Sequence, residues 1–234
     1  MISIITVVFN AESTVEQTIL SVISQTCINK EFIIIDGGST DKTKSIIAKY
    51  QHNLTYYLSE KDGGIYDAMH KGIKQAKGNF IYFLGADDVF IDENTLMNVA
   101  SHLINNKFIY YGNVLFKVRN VIYDGYFNSF KIVTRNICHQ SIFYPMEVFE
   151  KHSYDLKYKI MADYDLNIRL FFSGIFQFKH IPLTVALFND VGLSGAGGYD
   201  EPFKKDRLAI IKNYSPIYIY WYRLVRSVLA NFKK

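Results

Sequence analysis

Cysteine is scarce in this sequence, and a long hydrophobic run and a leader-type N-terminus are both missing. The two cysteines among 234 residues, Cys27 and Cys138, form no CxxC pair, so we exclude a disulfide scaffold and expect a reducing, cytoplasmic compartment. No run of about 18 apolar residues occurs, because Arg223 and Arg226 interrupt the most apolar stretch, so no membrane-spanning helix is expected. The N-terminus lacks a basic segment and a small-residue cleavage site, which predicts no export signal.

An excess of charge of one sign is also missing. Lys and Arg number 26 and Asp and Glu 22, a net charge of +4, and no basic stripe occurs, so no nucleic-acid partner is expected. Neither GxGxxG nor GxxxxGKS/T is present, which leaves dinucleotide and P-loop sites unsupported. The 16% of aromatic residues suits contact with sugars, membranes or other amphipathic surfaces, and equally suits core packing.

Apolar runs alternate with helical patterns over residues 1–90. Strands are predicted at Ile2–Phe9, Glu31–Asp36, Leu54–Leu58 and Phe80–Leu84. Helices are predicted between them, the first opened by a capping box at Ser13–Glu16, the second ending at Tyr50 and the third over Ile65–Ala76. Further helices over 92–105 and 163–172 and strands over 108–111 and 140–144 complete one α/β domain with a mostly parallel sheet flanked by helices.

Carboxylates follow the predicted parallel strands at the point where each strand ends. The residues concerned are Asp36, then Glu60 and Asp62, then Asp87 and Asp88. Ligands bind at this edge of an open α/β sheet, whereas each acid alone is equally typical of an ordinary turn. An Asp-Asp pair at a strand end can hold a hard divalent cation against phosphate oxygens.

Four segments together resemble a known family. They are IITVVFNAE at 4–12, IIDGGSTD at 34–41, SEKDGGIYDAMHKGI at 59–73 and FLGADD at 83–88, continued by HQS at 139–141 and ADYD at 162–165. In order and spacing they resemble the nucleotide-sugar-dependent glycosyltransferases of family 2, which have the GT-A fold. The third segment is similar to the branch that builds bacterial cell-surface polysaccharides, such as colanic-acid-type glycosyltransferases.

The resemblance implies a division of the chain and a donor site. Residues 1–214 would be the GT-A domain, with a nucleotide-sugar half at 1–90 and an acceptor half at 91–214. The donor, a UDP-sugar or similar, would contact Phe9, Glu12 and Asp36 through its nucleoside and Asp87 through its ribose, and Asp88 would hold Mg²⁺ or Mn²⁺.

Two positions depart from the family pattern. Gly37 stands where many members have the Asp that binds the base, so Asp62 or Asp67 is expected to substitute for it. His70 stands where Asn is usual.

Inverting sugar transfer needs a carboxylate that takes the proton of the acceptor hydroxyl. Asp163 matches the family's base position, with Asp165 as second choice, and the alternative is that Asp163 caps the helix that it begins. His139 would assist the diphosphate or order the base, or be purely structural. Arg169 is expected to be a surface or pairing residue. The glycine-rich stretch 192–198 is either a lid over the donor or an ordinary loop.

The partners expected from the resemblance are a nucleotide-sugar donor and a glycan or polyprenol-diphosphate-linked acceptor, as in O-antigen or capsule synthesis. Residues 215–234 predict a basic amphipathic helix. It either lies on an anionic membrane surface, as a peripheral protein of the inner face would, or packs on the domain. Two other functions stay open: a non-catalytic binding or scaffold protein of the same fold, and a sugar nucleotidyltransferase, whose basic glycine-rich loop is not found at Asn10–Glu12.

Overall fold

The computed structural model describes residues 1–192 and 200–231. Strands from this part of the chain form one sheet: β1 (Ile2–Val8), β2 (Lys30–Asp36), β3 (Tyr56–Ser59), β4 (Phe80–Phe83), β5 (Val89–Phe90), β6 (Phe108–Phe116), β7 (Ile122–Tyr123), β8 (Ile142–Pro145) and β9 (Gln177–Phe188). The helices around it are α1 (Val15–Ile23), α2 (Thr43–Lys49), α3 (Ile65–Gln75), α4 (Thr95–Ala100), α5 (Ser129–Ile132), α6 (Met146–Lys151), α7 (Ala162–Phe172), α8 (Glu201–Tyr214) and α9 (Ile217–Asn231).

The sheet order is β3-β2-β1-β4-β8-β6-β9-β5, and β7 pairs with β6. The strands β3, β2, β1 and β4 run parallel, joined by crossovers that contain α1, α2 and α3. Beyond them β8 is antiparallel to both β4 and β6, whereas β9 runs parallel to β6. The predicted α/β class is confirmed, and each antiparallel pair in the described residues includes a strand that follows β4 in the chain.

Both faces of β1 are covered by hydrophobic side chains. Ile4 and Ile5 point to opposite faces and are fully buried. Ile5 packs in a cluster with residues of α3 and α7, and Ile4 packs in a second cluster with residues of α1. A strand buried on both faces shows no alternation of apolar and polar residues, and in β1 even the two polar residues, Ser3 and Thr6, are buried.

The helix α3 lies unusually close to β1. A Cβ on Gly72 would stand 2.5 Å from Cγ2 of Ile5, so only glycine allows this contact. The close packing fixes the position of the N-terminal turn of α3, which carries Tyr66.

The predicted capping box before α1 is wrong. The N-cap residue is Thr14, and its side chain makes no capping hydrogen bond. The Glu16 carboxylate instead accepts a hydrogen bond of 2.9 Å from the Tyr50 hydroxyl, beyond the end of α2. A long-range partner therefore takes the acceptor that the local motif would have used.

The second half differs more from the sequence-based expectation. The predicted helix over 92–105 shrinks to α4, and the strand over 108–111 extends to Phe116. The sequence-based prediction contains neither β9 nor α8. The sequence does hold signals for the start of α8: Asp200 is the N-cap and accepts from the Phe203 N–H, and Pro202 lies in the first turn. In β9 the buried positions are irregular, so neither strand nor helix periodicity stands out.

In the described ranges, no helix has the length and apolar character that crossing a bilayer requires. Cys27 and Cys138 are both free, as expected. Most of the glycine-rich stretch 192–198 lies outside the described residues, as do Phe232, Lys233 and Lys234. The division of the chain into residues 1–90, 91–214 and 215–234 stays a prediction.

Candidate active site

A cavity of about 690 Å³ opens where β1, β2 and β4 end. Its wall is built from the loops after these strands, from the loop before α3 and from the end of β9; among the lining residues are Phe9, Gly37, Asp62, Asp87 and His139. We call it the donor cavity. Its place at the carboxyl ends of parallel strands is the ligand-binding edge of an open α/β sheet.

The loop after β1 presents Phe9 to the donor cavity with 63% of its surface exposed. The next residue, Asn10, has a φ of 49°, and its backbone N–H donates to the Ser39 hydroxyl at 2.8 Å. Glu12, predicted beside the nucleoside, is exposed, and its carboxylate accepts from the Lys42 N–H at 2.9 Å. The loops after β1 and β2 are thus tied into one platform.

Asp36, also predicted beside the nucleoside, is fully buried. Its carboxylate accepts hydrogen bonds from the Ser39 N–H at 3.1 Å and from the Ser39 and Ser59 hydroxyls at 2.5 Å each. The side chain therefore braces the loop after β2 against the end of β3. A direct contact between Asp36 and a nucleoside stays a prediction.

Asp62 fills the space beside Gly37. A Cβ on Gly37 would stand 2.6 Å from Oδ2 of Asp62, whose Oδ1 accepts from the Gly64 N–H at 2.9 Å. Asp67 instead accepts from the Gly63 N–H, and this hydrogen bond lowers the pKa of Asp67. Of the two predicted substitutes for the missing Asp, Asp62 is the one that lines the donor cavity.

The neighbours Asp87 and Asp88 lie in opposite environments. Asp87 lines the donor cavity, and the Asn189 side-chain amide donates to its Oδ2 at 2.8 Å. Asp88 is 1% exposed, and both of its oxygens accept hydrogen bonds, one from the Gln140 side chain at 2.8 Å and one from the Asn189 N–H at 2.7 Å. Asp88 therefore ties β4 to the segment before β8 and to the end of β9.

Burial raises the pKa of Asp88 to about 7, and the nearby Asp87 carboxylate contributes to the rise. The hydrogen bonds from Asn189 and Gln140 oppose it. A carboxyl group in this position is partly protonated at neutral pH, unlike an exposed aspartate.

A second cavity of about 260 Å³ adjoins the first and contains Asp163 and Arg119 in its wall. We call it the acceptor cavity. His139, Gln140, Ile65 and Phe188 line both cavities, so the two spaces meet at these residues.

The Asp163 carboxylate is held from two sides. The Tyr66 hydroxyl lies 2.9 Å from Oδ1, and the Asn136 amide donates to Oδ2 at 2.7 Å. Nδ1 of His139 lies 3.8 Å from the same Oδ2. Burial lowers the pKa of His139 although Asp163 and Asp87 oppose the shift, so the imidazole is neutral near pH 7.

The capping alternative for Asp163 is wrong. The N-cap of α7 is Met161, and the Met161 N–H donates to the Asp200 carboxylate at 3.1 Å. The second candidate base, Asp165, instead forms an ion pair with Arg169 at 2.9 Å. Arg169 is thus a pairing residue, as expected, and the helix presents Asp163, not Asp165, to the acceptor cavity.

Several residues of the site had no role in the sequence-based prediction. Tyr66 and Gln140 lie inside the quoted motifs, so their presence was visible but their hydrogen bonds were not. Asn136 and Asn189 carry no sequence signal, because each contacts its aspartate across a long stretch of chain. His70, the departure in the third segment, accepts from the Tyr154 N–H at 3.2 Å.

The described residues contain no group of three or more His, Cys, Asp or Glu side chains arranged as a complete metal site. Mg²⁺ and Mn²⁺ sites in phosphate-transferring enzymes need less, because one or two carboxylates suffice when substrate phosphates and water complete the shell. Asp87 fits this requirement, since its carboxylate lies in the wall of the donor cavity. Asp88, the predicted ligand, fits poorly because it is buried and does not line the donor cavity, and its two oxygens accept hydrogen bonds from Gln140 and Asn189.

A mostly parallel sheet flanked by helices and extended by antiparallel strands is a fold that this chain shares with GT-A transferases. The sequence model described as "Glycosyl transferase family 2" matches residues 3–172, and the chain belongs to this family.

Three comparisons extend this assignment. The chain is 35% identical over 212 residues to a "PGL/p-HBAD biosynthesis glycosyltransferase" of Mycobacterium bovis, covering 88% of this chain and 83% of that protein. It is 34% identical over 114 residues to the Escherichia coli "UDP-Glc:alpha-D-GlcNAc-diphosphoundecaprenol beta-1,3-glucosyltransferase WfgD", covering 48% and 45%. The fold is similar to that of S. aureus TarS 1-349, solved with UDP-GlcNAc, at 18% identity and a TM-score of 0.71 over 92% of this chain and 67% of that one.

Proposed function

We propose that the chain is an inverting, metal-assisted glycosyltransferase that moves a hexose or N-acetylhexosamine from a UDP-sugar to a hydroxyl of an acceptor glycan. One observation carries the proposal: the donor cavity with Asp87 and the acceptor cavity with Asp163 meet at His139. A sugar held at this junction would face the leaving diphosphate on one side and the acceptor hydroxyl on the other.

Asp163 is the base in this proposal. Its carboxylate is oriented by Tyr66 and Asn136 and lies in the wall where the acceptor hydroxyl would enter. Burial and the Asp163 charge raise the pKa of Tyr66, so the phenol stays protonated, with the Ile160 carbonyl at 2.7 Å and Asp163 Oδ1 at 2.9 Å as its acceptors. A positioned carboxylate can then take the hydroxyl proton as the new glycosidic bond forms.

His139 has a positioning role. It borders both cavities and, because its ring is neutral, adds no positive charge near the Asp163 carboxylate. In a neutral imidazole one ring nitrogen donates a hydrogen bond and the other accepts one. This suits a residue that lies between the base and the diphosphate.

For the divalent cation we propose Asp87 in place of Asp88. Asp87 is in the cavity wall, whereas Asp88 is buried outside that wall and hydrogen-bonded to Gln140 and Asn189. When bound, Mg²⁺ or Mn²⁺ would neutralise the charge that develops on the departing nucleoside diphosphate.

Asp62 is the residue that we propose for base recognition. Its carboxylate occupies the space where a side chain at position 37 would stand, so it compensates for the glycine found there. Phe9 lines the same cavity and offers an exposed ring for stacking.

The acceptor that we propose is lipid-linked, and the name of one relative supports this class. The printed name of WfgD describes glucosyl transfer from UDP-Glc to a diphosphoundecaprenol-linked sugar. We extend this acceptor class to the present chain, in the setting of O-antigen or capsule synthesis. The family assignment favours a transferase over the nucleotidyltransferase and scaffold alternatives.

Calorimetric titration with UDP, with and without Mn²⁺, tests the donor site. We expect binding of UDP that is at least about tenfold tighter with Mn²⁺, and loss of this metal effect in Asp87→Asn. Asp88→Asn is the matched variant, because it removes the same charge one residue away; it should keep most of the metal effect. GDP serves as the nucleotide control.

Three results would count against the proposal. Absence of nucleotide binding under every metal condition would support the scaffold alternative. Loss of the metal effect in Asp88→Asn but not in Asp87→Asn would return the ligand role to Asp88. Binding of UDP without turnover of any UDP-sugar, measured as UDP release, would argue against catalysis.

A further inference from the structure

The C-terminal helix α9 exposes its hydrophobic side. Trp221 is 55% exposed and Val225 52%. The exposed apolar residues, which we call the apolar α9 face, are Ile217, Tyr218, Trp221, Val225, Val228 and Leu229. At about 100° per residue they lie within roughly 120° of arc, so they form one continuous stripe.

The domain holds α9 by its other side. Ile219 is fully buried, and the Arg223 guanidinium donates to the Val133 carbonyl at 3.1 Å. The Phe130 ring packs edge-on against Tyr222, with centroids 4.8 Å apart. Except at Tyr218, whose ring centroid lies 6.4 Å from that of Phe130, the apolar α9 face is therefore not the packing surface of this helix. An exposed patch of this kind marks an interaction site.

A cationic cleft of about 300 Å³ borders the same helix. Lys131, Arg135 and Arg226 line it, together with Tyr222. The acid found against these cations is Asp124, whose carboxylate pairs with Arg135 at 2.7 Å and with Lys131 at 3.5 Å. The cleft therefore carries a net positive charge.

Arg223, on the side of α9 that faces the domain, adds to this positive charge. Burial lowers the pKa of Arg223, and the positive charges of Arg207 and Arg226 lower it further. This guanidinium stays protonated even so, because arginine's ordinary pKa is very high. The cluster is thus a concentration of positive charge that calls for an anionic partner.

The cleft and the stripe are adjacent. Tyr222 and Arg226 follow the edge of the apolar α9 face around the helix, so a surface that covers the face also reaches the cleft. A bilayer offers this combination, with acyl chains for the stripe and phosphate headgroups for the cations.

We propose that the apolar α9 face and the cationic cleft together dock the protein on an anionic lipid surface. Trp221 and its apolar neighbours would enter the interface, while Arg226 and Arg135 contact lipid phosphates. A second copy of the chain fits less well, because a symmetric pair through this face would bring the two cationic clefts together.

The consequence concerns the acceptor. Arg135 of the cleft is followed directly by Asn136, which holds the Asp163 carboxylate. Docking through the cleft would place the acceptor cavity near the headgroup layer. The docking inference itself rests on α9, on α5 and on the residues that flank α5, and it stands whether or not the transferase proposal holds.

Trp221 is the only tryptophan of the chain, so its fluorescence reports directly on the face. The full-length protein is titrated, without nucleotide or metal, with vesicles of phosphatidylcholine or of phosphatidylcholine containing about 30% phosphatidylglycerol. We expect a blue shift of the emission with the anionic vesicles, weak or no shift with the neutral ones, and release at about 0.5 M salt.

Two variants and two matched controls separate the contributions. Val225→Glu places a charge on the apolar α9 face, and Arg226→Glu reverses a charge of the cleft; each should weaken vesicle binding by about tenfold or more. Met97→Glu, on exposed α4, and Lys44→Glu, on exposed α2, make the same chemical changes elsewhere and should alter binding less than about twofold. Thermal melts confirm that each variant is folded.

Four outcomes would overturn the inference. The first is that no vesicle changes the emission of the wild type. The second is that the emission is already blue-shifted without vesicles and does not respond to them, which would mean that another part of the chain covers the face. The protein could form a dimer that Val225→Glu dissociates, which would assign the face to a second copy. Equal binding to neutral vesicles, unaffected by Arg226→Glu, would exclude the cleft.

Discussion

Two neighbouring aspartates show how strongly environment decides the role of a residue. Asp87 lies in the wall of the donor cavity, whereas Asp88 is buried with both oxygens hydrogen-bonded. One carboxylate is thus available to a ligand, and the other joins three segments of the chain. Side chains of the same chemistry are thus accessible from the cavity in one case and part of the architecture in the other.

Asp163→Asn should abolish most of the turnover and leave the fold intact. An amide cannot take the acceptor proton, so we expect UDP release from the UDP-sugar and acceptor to slow by about 10²–10⁴-fold. UDP affinity should change less than about twofold, because Asp163 lies in the acceptor cavity.

Asp165→Asn is the control for that variant. It breaks the ion pair with Arg169 and should cost about 2 kcal/mol of stability while keeping turnover. The reverse pattern, with turnover lost only in Asp165→Asn, would assign the base to Asp165.

The raised pKa of Asp88 predicts a pH-dependent stability. The folded protein holds a proton on Asp88 up to about pH 7, whereas the unfolded chain releases it near pH 4. Between these values the folded state binds more protons, so stability falls as pH rises and levels off above pH 7. From pH 6 to pH 8 this group alone should cost about 1 kcal/mol.

The comparison that isolates this effect is Asp88→Asn against wild type, both melted in metal-free buffer. Between the two pH values, the melting temperature of the wild type should fall by about 2–4 °C more than that of the variant. Parallel pH profiles of the two proteins would show that folded Asp88 does not have the raised pKa that this prediction requires.

At the scale of elements, the donor cavity depends on the fit between two loops. The loop after β2 carries Gly37, and the loop before α3 carries Asp62, whose Oδ2 would stand 2.6 Å from a Cβ at position 37. The glycine and the aspartate are therefore complementary, and a side chain at both positions would collide.

Gly37→Asp should weaken UDP binding by about tenfold or more and destabilise the fold by about 1–3 kcal/mol, through overlap and like-charge repulsion. The double variant Gly37→Asp with Asp62→Gly moves the carboxylate to the other loop and should restore most of the affinity. Titration with UDP and thermal melts measure both effects. Full affinity in the single variant would mean that the two loops are not in contact.

At the scale of the whole molecule, the donor site joins both halves of the chain. The loops after β1, β2 and β4 come from the first half, whereas His139, Gln140 and Asn189 come from the second. A ligand in the donor cavity contacts both sets and should therefore stabilise the cooperative unit as a whole.

UDP with Mn²⁺ should raise the melting temperature by about 5–10 °C at a concentration near 100 times Kd, which corresponds to about 2.7 kcal/mol. Asp163→Asn should show the same increase, and Asp87→Asn a much smaller one. Calorimetric melts provide the measurement. An increase in Asp87→Asn equal to that of wild type would separate UDP binding from this carboxylate.

The sequence alone determined the first half of the fold and the edge where the site lies. Continuous apolar strands and helical spacing are local patterns, and the carboxyl ends of parallel strands must share one edge, so Asp36, Asp62 and Asp87 could be grouped without coordinates. The motifs at 59–73 and 162–165 pointed to the family because they too are local patterns of the sequence.

Only the tertiary structure decided which side chains face the cavities. Tyr66 reaches Asp163 across 97 residues and Asn189 reaches Asp87 across 102, and no local pattern encodes such contacts. The same holds for β9, whose strand conformation depends on its pairing with β6. It also holds for α9, whose apolar face is exposed because the domain binds the opposite side of the helix. Local periodicity specifies that a helix is amphipathic, and long-range packing alone decides which side it buries.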